Sequence, residues 1–284
     1  MAATAGQTIK YGDSNIVDAV RQYWDTELQS KVYAKSISRN LPGAVRIVAN
    51  YGQGVDQVYR WTRSLGITTT DSTRYDVATS DLEMNVVAYG VEDHTVTALH
   101  KAGYVQEKVD ILRDQEGFVM PNIMDSLARD LAKSENVAFV SAIDAASTSA
   151  TSGSAISVVL LRKGPTAIQM ADLTPLYIIM NANTVQTVAD ELLPANTTGD
   201  NTFLRENNVG RLHGCDVILS TYVADNTVYT LGENAAVIFE RQPYTMTTAR
   251  DNISVLFVKF AVEARFGIGA DRTESIRKST FTGS

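Results

Sequence analysis

Apolar side chains recur at every fourth position near the start of the chain. Ile16, Val20, Trp24, Leu28 and Val32 follow this spacing, which predicts an amphipathic helix over residues 14–33. The apolar stripe of such a helix has to be covered by another surface. We therefore expect the helix to pack against a partner, and we expect removal of residues 1–35 to leave soluble subassemblies or aggregates.

Alternating apolar and polar residues follow in two stretches, 45–51 and 55–65, with a predicted turn at 52–54 between them. A polar segment then leads to a further predicted strand over 82–91. Strands on either side of a long polar tip form a ribbon with little core of its own, and an isolated hairpin is only marginally stable in water. We expect the ribbon to lie on a neighbouring subunit.

The middle of the chain carries its longest helical pattern. Apolar residues trace one face from Met120 to Ile143, and Pro121 falls in the first turn of the predicted helix, where proline is tolerated. Small residues dominate the next segment, 145–155, which we expect to lack regular structure and to mark a domain boundary.

Beyond this boundary, strand and helix patterns alternate. An apolar strand is predicted at 176–180, followed by a helix that ends before Pro194. Further strands are then predicted within 210–223, before Gly232, at 235–240 and, as a long closing strand, at 253–266. The pattern indicates a compact mixed α/β unit followed by one strand that leaves it.

Charge is distributed unevenly along the 284 residues. The chain has a net charge of −7, and residues 1–75 carry nine Lys/Arg against six Asp/Glu, so that the remaining residues sum to −10. A net acidic protein lacks the general electrostatic attraction to phosphate backbones that nucleic-acid binding requires. The asymmetry suits contacts between copies, although ordinary solvated surface charge explains it equally well.

Membrane and redox chemistry are not indicated by the sequence. No apolar run reaches the roughly 18 residues that cross a bilayer, and the first residues do not resemble a signal peptide, so we expect a soluble protein made in the cytosol. Cys215 is the only cysteine, and its apolar neighbours favour a buried small hydrophobic residue over a reactive thiol.

Enzyme motifs are incomplete wherever they begin. The segment 267–272 starts as a glycine-rich dinucleotide loop, but Arg272 stands where the third glycine belongs. His94 and His100 are six residues apart, which does not place two imidazoles side by side on a helix. His213 and Cys215 are two apart in a strand pattern, where they do not reach a shared substrate. We expect no catalytic residues, no cofactor and no metal.

Aromatic and arginine residues of the first helix and the ribbon are candidates for contacts between subunits. Trp, Tyr and Arg are the residues most enriched at interface hot spots, and a ribbon offers them little core within one chain. The alternative is that they pack under the ribbon of their own chain. The candidate inter-subunit contacts are Val20, Trp24, Leu28, Arg60, Trp61, Arg63 and Tyr75.

The order of these elements resembles that of the HK97-fold major capsid proteins of tailed double-stranded DNA viruses. In that family an N-terminal arm, an extended β-hairpin (E-loop), a long spine helix, a compact axial domain and a returning strand follow one another. The resemblance implies an α+β fold with four parts. These are the arm, 1–43; the E-loop ribbon, 44–92; the peripheral domain, 93–155 and 246–284; and the axial domain, 156–245.

The resemblance also implies a function. A protein of this family builds pentamers and hexamers of an icosahedral shell around packaged double-stranded DNA, with portal, scaffolding and decoration proteins as partners, after assembly in the host cytoplasm. Two other interpretations remain open. One is an encapsulin-like compartment shell, and the other is a small-molecule-binding α/β enzyme, which the lack of a convergent set of acid, base or metal ligands disfavours.

Overall fold

A computed structural model describes residues 14–49, 58–67, 89–97, 99–195, 210–250 and 257–282. The helices are α1 (Ser14–Lys35), α2 (Val109–Ala146), α3 (Val158–Leu161), α4 (Lys163–Gln169) and α5 (Ala182–Ala195). The strands are β1 (Val45–Ala49), β2 (Val58–Ile67), β3 (Tyr89–Thr97), β4 (Leu99–Lys108), β5 (Thr148–Gly153), β6 (Pro175–Met180), β7 (Arg211–Leu212), β8 (Cys215–Leu219), β9 (Thr227–Gly232), β10 (Ala236–Arg250), β11 (Phe257–Ala270) and β12 (Ile276–Phe281). The α+β class expected from the sequence is confirmed.

A four-stranded sheet in the order β1-β10-β11-β4 supports the two long helices. Its centre is the antiparallel pair β10–β11, whose register is irregular between Glu240 and Thr245. Buried residues of α1 and α2 pack on one face of this sheet as part of the main hydrophobic core. On the other face, Val237 and Phe239 are buried against Val48 and Val96.

A six-stranded mixed sheet in the order β5-β12-β9-β6-β8-β7 forms the compact unit. Ile178, Met180 and Val188 are fully buried in its own cluster. Gly232 is required at the end of β9, because a Cβ there would lie 2.8 Å from Ile168 Cγ2 and 3.0 Å from the carbonyl oxygen of Thr174.

The long helix α2 begins eleven residues before the position expected from the sequence, at Val109 instead of Met120. Pro121 therefore lies inside the helix and not in its first turn. The expectation was wrong because proline in a helix interior, which costs about 3 kcal/mol, was treated as a boundary. Packing of α2 on the four-stranded sheet and on α1 outweighs this local penalty.

The small-residue segment after α2 is ordered, contrary to expectation. Residues 148–153 form β5, which pairs in parallel with β12 at one edge of the six-stranded sheet. Composition was misleading here because an edge strand gains its order from backbone hydrogen bonds, and only Thr151 of this strand is buried. Strand β12 was also missed. Both strands belong to the sheet of the compact unit, although the sequence assigned them to the peripheral part.

The ribbon consists of β2 and β3, which pair antiparallel from Val58↔Thr97 to Ile67↔Tyr89. Strand β1 is not part of it, because β1 pairs in parallel with β10 in the four-stranded sheet. The ribbon also continues past residue 92 to Thr97. The turn at 52–54, the polar segment 68–81 with Tyr75, and the residues 82–88 lie outside the described residues.

Candidate functional site: a buried clasp between two helices and a sheet

The apolar stripe of α1 is covered, in its second half, by the chain itself. Leu28 and Val32 have no exposed surface, and both pack in the main core. The Trp24 ring is partly buried and meets Phe260 of β11 edge to face, with 6.3 Å between ring centroids. Aromatic pairs at this distance add about 0.5–1.5 kcal/mol beyond the area that they bury. The core of the same subunit is thus a partner of this helix.

Two polar residues of α1, four positions apart, form hydrogen bonds with the backbone of β10 at and next to its irregular stretch. The backbone N–H of Met246 donates to Asp25 Oδ1 at 2.5 Å, and Gln29 Nε2 donates to the carbonyl oxygen of Tyr244 at 2.9 Å. Residues four apart share one helix face, so α1 satisfies backbone groups of the strand where its register with β11 shifts. The helix is therefore aligned along the strand by hydrogen bonds as well as by apolar packing.

A buried polar cluster, here called the clasp, joins α1 and the turn after it to α2 and β10. Its members are Tyr33, Ser36, Ser38, Arg39, Glu135, Glu240 and Tyr244. The Glu135 carboxylate is completely buried, and it accepts hydrogen bonds from Arg39 Nε at 2.9 Å and from the Tyr244 hydroxyl at 2.8 Å. The two serine hydroxyls also donate to it.

Arg39 connects the two carboxylates of the clasp. Its Nη2 lies 3.2 Å from Glu240 Oε1, which also accepts a hydrogen bond from the Tyr33 hydroxyl at 2.9 Å. The guanidinium carbon lies 4.0 Å from the centre of the Tyr33 ring, a cation–π distance. Two carboxylates face one guanidinium, so the clasp depends on hydroxyl donors to stabilise its second negative charge.

The end of α1 is fixed by an amide next to the clasp. Asn136 Oδ1 accepts a hydrogen bond from the backbone N–H of Ile37 at 2.7 Å, and its Nδ2 donates to the carbonyl oxygen of Lys35 at 3.2 Å. Carbonyl groups at the end of a helix have no partner within the helix, so this contact satisfies one of them. Lys35 also forms an ion pair with Asp125 of α2.

Burial changes the titration of the clasp residues. Burial and then the Glu135 charge raise the pKa of Tyr244 well above its usual value. Burial likewise raises the pKa of Tyr33. For Arg39, burial acts to lower the pKa, but the Glu135 and Glu240 carboxylates outweigh it, so the pKa is raised and the guanidinium stays charged. The clasp therefore contains protonated hydroxyls and a permanent cation.

Replacing Tyr244 with phenylalanine is expected to make stability less sensitive to alkaline pH. Because its folded-state pKa is raised, the stability linked to this hydroxyl is complete below about pH 10 and is lost as the pH rises further. One such group contributes a slope of about 1.4 kcal/mol per pH unit above that point. Urea unfolding measured at a series of pH values from about 8 to about 11 should show a shallower loss in Tyr244→Phe. The exposed Tyr23, changed to phenylalanine, is the matched control; equal slopes in Tyr244→Phe and the wild type would contradict the prediction.

A second polar contact joins the end of α2 to the six-stranded sheet. Asp144 Oδ1 accepts hydrogen bonds from Lys278 Nζ and from the Tyr229 hydroxyl, both at 2.5 Å. The hydrogen bonds from Lys278 and then Tyr229 lower the pKa of Asp144. Helix α2 is thus attached by side chains to both large sheets.

The candidate contact residues are not brought together into one site. Leu28 is buried in the core of its own chain and has no surface to offer a neighbour in this conformation. Trp24 is partly exposed, and Val20 lies one turn earlier on α1. Arg60, Trp61 and Arg63 lie on β2, opposite Thr95, His94 and Glu92 of β3. Tyr75 is outside the described residues.

The clasp residues were missed from the sequence, although one of them carried a detectable pattern. Glu135 follows Leu127 and Leu131 at intervals of four, so it interrupts the apolar face of α2 with a carboxylate. A charged residue at such a position has to find a partner when it is buried. The identity of that partner, Arg39, is separated from it by 96 positions and could not be inferred from local patterns.

The chemical motifs considered in the sequence have structural explanations. Gly267 and Gly269 lie within β11 and not in a turn before a helix. Cys215 is fully buried, and burial followed by the Asp216 charge raises the pKa of its thiol to about 11. His213 adopts a positive φ of 52° beside Gly214, and its Nε2 lies 2.7 Å from the carbonyl oxygen of Val158. In the part of the chain that the structure describes, no three metal-binding side chains converge, and no helix is long and apolar enough to span a membrane.

Comparison with known proteins identifies the class. The fold is similar to that of the head protein in the structure of Helicobacter pylori bacteriophage KHP40, with a TM-score of 0.66 and 13% identity over 84% of this chain and 88% of that one. The capsid of an empty GTA particle gives a TM-score of 0.62 and 14% identity over 87% and 90% of the two chains. The mature capsid of bacteriophage PhiM1 gives a TM-score of 0.62 and 13% identity over 88% of each of the two chains. No curated protein matches the sequence.

These similarities show the HK97-like capsid fold, as expected from the order of elements. The model of the phage capsid protein family matches residues 101–279, well over half of the chain. The chain belongs to the phage capsid protein family, and it is a structural protein of the virion.

Proposed function

We propose that this protein is a major capsid protein that assembles into the pentamers and hexamers of an icosahedral shell enclosing packaged double-stranded DNA. The observation that carries the proposal is the β2–β3 ribbon. Its two strands pair with each other, and within the described residues they pair with no other strand. A two-stranded hairpin is marginal in water, so it is stabilised by a surface outside its own sheet.

In the part of the ribbon whose side chains the structure describes, such a surface lies at the end of β3. Val96, near the end of β3, packs against Val237 and Phe239 on the face of the four-stranded sheet away from the helices. We propose that the remainder of the ribbon lies on a neighbouring copy, with Arg60, Trp61 and Arg63 among its contacts. Val20, Trp24 and Tyr75 are proposed contacts of the same kind, whereas Leu28 is withdrawn because it is buried.

The charge of the chain supports enclosure of DNA without specific binding. A net charge of −7 does not favour contact with phosphate backbones. DNA is therefore packaged by a motor and not by affinity for the inner surface of the shell. The further partners proposed for this role are portal and scaffolding proteins, with decoration proteins as an optional addition, and assembly is proposed to take place in the host cytoplasm. The fourfold division into arm, ribbon, peripheral and axial parts is proposed with β5 and β12 moved to the axial part, because they belong to its sheet.

Electron microscopy of the purified full-length protein at high concentration tests the proposal. Closed shells of uniform size are expected for the wild type. The triple variant Arg60→Glu, Trp61→Ala, Arg63→Glu is expected to give folded but unassembled subunits, whereas Lys133→Ala on the exposed face of α2 should assemble normally. A wild-type protein that stays monomeric under all conditions would contradict the function, and normal shells from the triple variant would contradict only the role of the ribbon.

A further inference from the structure

Helices α3 and α4 present an exposed face that carries both cations and large apolar side chains. All of its members are exposed, and they lie on these two helices or directly beside them; they are Val159, Arg162, Lys163, Thr166 and Met170. Val159 is 75% exposed and Met170 is 84% exposed, the highest values among the large apolar residues that the structure describes. We call these five residues the α3–α4 face.

The opposite side of the same helices is fixed to the six-stranded sheet. Leu161 and Ile168 are buried, and Gly164 lies so close to Thr230 of β9 that a Cβ would come within 2.5 Å of its Oγ1. Interiors packed this closely do not allow a helix to rotate. The apolar residues Val159 and Met170 are therefore held in solvent and cannot turn into the core.

A third cation lies on the opposite side of these helices, where they cover the sheet. Arg277 of β12 is the register partner of Thr230, so its side chain projects from the sheet face that Gly164 covers. Its Nε is buried and has no hydrogen-bond partner among the residues that the structure describes. By contrast, Arg46, Arg211 and Lys278 elsewhere on the two large sheets are each paired with an aspartate.

No carboxylate of the described residues forms an ion pair with Arg162, Lys163 or Arg277. This local positive charge lies in the part of the chain, residues 76–284, that sums to −10. A second copy of the chain carries the same excess of acidic residues and is therefore a source of complementary charge. Complementary charge of this kind fixes which surfaces meet and increases the rate of association.

We propose that the α3–α4 face is a contact surface for an acidic surface of a second copy of this chain, held by Arg162 and Lys163 and by burial of Val159 and Met170. The inference rests on the proposed self-assembly and specifies one of its interfaces. Because the face is cationic and its target is acidic, the contact is between two different surfaces, the type that forms rings when the rotation between copies closes. Phosphate backbones offer nothing to the two apolar side chains, so a protein partner is favoured over DNA.

Charge reversal in the full-length protein tests this interface. Arg162→Glu together with Lys163→Glu is expected to raise the protein concentration needed for assembly at low salt at least tenfold, because like charges then face each other. Lys133→Glu is the matched control, since Lys133 is exposed on α2 and also has no ion pair among the described residues, and it should stay within about twofold of the wild type. Circular dichroism and thermal melting establish that each variant is folded.

A change of salt concentration and a variant of the two apolar residues separate the electrostatic from the apolar contribution to the contact. Raising the salt from about 0.05 M to about 1 M should weaken wild-type assembly, because screening shortens the Debye length to about 3 Å. Val159→Ser with Met170→Ser should weaken assembly at both salt concentrations. Both effects are measured by sedimentation velocity, which resolves subunits from shells.

The outcomes distinguish this inference from the function on which it rests. A wild type that never assembles contradicts the proposed function. A wild type that assembles while Arg162→Glu/Lys163→Glu assembles equally well contradicts only the α3–α4 interface. If the charge-reversed variant assembles normally but loses binding to a short DNA duplex in an anisotropy titration, the face binds nucleic acid and the proposal of a second copy is overturned.

Discussion

Replacing Arg39 with methionine is expected to lower the free energy of unfolding by about 3–5 kcal/mol, the usual cost of removing one partner from a buried ion pair. Only 4% of the arginine side chain is exposed, and its loss leaves the carboxylates of Glu135 and Glu240 buried without a cation. Such a loss is a large fraction of the 5–15 kcal/mol that stabilises a typical domain. Urea unfolding of the unassembled full-length subunit, followed by circular dichroism, measures it.

Two further variants show whether the buried charge is the cause. Lys31→Met removes the partly exposed pair with Glu27 and is expected to cost about 0.5 kcal/mol or less. Adding Glu135→Gln to Arg39→Met should restore part of the lost stability, because it removes one of the two unpaired buried charges. A cost below about 1 kcal/mol for Arg39→Met would show that the clasp is open to water.

Removal of residues 1–35 is expected to give an insoluble chain and not soluble capsomers. The sequence allowed both results, but α1 contributes Leu28 and Val32 to the main core, and burial of each is worth about 1.5–3 kcal/mol. The truncation also exposes the core residues that these two cover, and it removes the hydrogen bond that the Tyr33 hydroxyl donates to Glu240. The soluble fraction and the circular dichroism spectrum of the truncated protein measure the result.

Point substitutions on the same helix provide the control. Leu28→Ala is expected to cost about 2–5 kcal/mol, whereas Tyr23→Ala, at a position that is 65% exposed, should change stability by less than about 0.5 kcal/mol. A soluble, folded fragment of residues 36–284 would contradict the structural role of α1 and would favour a detachable arm.

Long and strongly periodic elements were predictable from the sequence. Helix α1 was placed within two residues at its end, and strands β6 and β9 occur where apolar runs bounded by turn residues indicated them. The order of elements was sufficient to indicate the capsid fold, which the family match and the structural similarities confirm. These features depend on local periodicity, which a single sequence contains.

Elements stabilised by distant partners were not predictable. Strand β5 has almost no apolar residues, and its order comes from pairing with β12, more than a hundred positions away. Pro121 stands inside α2 because tertiary packing offsets its local cost. Strand β1 was assigned to the ribbon because it is adjacent in sequence, whereas it pairs with β10. In each case the prediction used only neighbouring residues, whereas the structure is set by a contact between residues far apart in the sequence.

The sequence by itself determined the amphipathic helix, the acidic balance of the chain and the class of capsid protein to which this order of elements belongs. Only the tertiary structure decided that the second half of the apolar stripe of α1 is covered within the subunit, that Arg39 lies between Glu135 and Glu240, and that Val159 and Met170 remain exposed. The physical reason is that periodicity records which face of an element is apolar, whereas the surface that covers this face is set by packing between residues far apart in the chain.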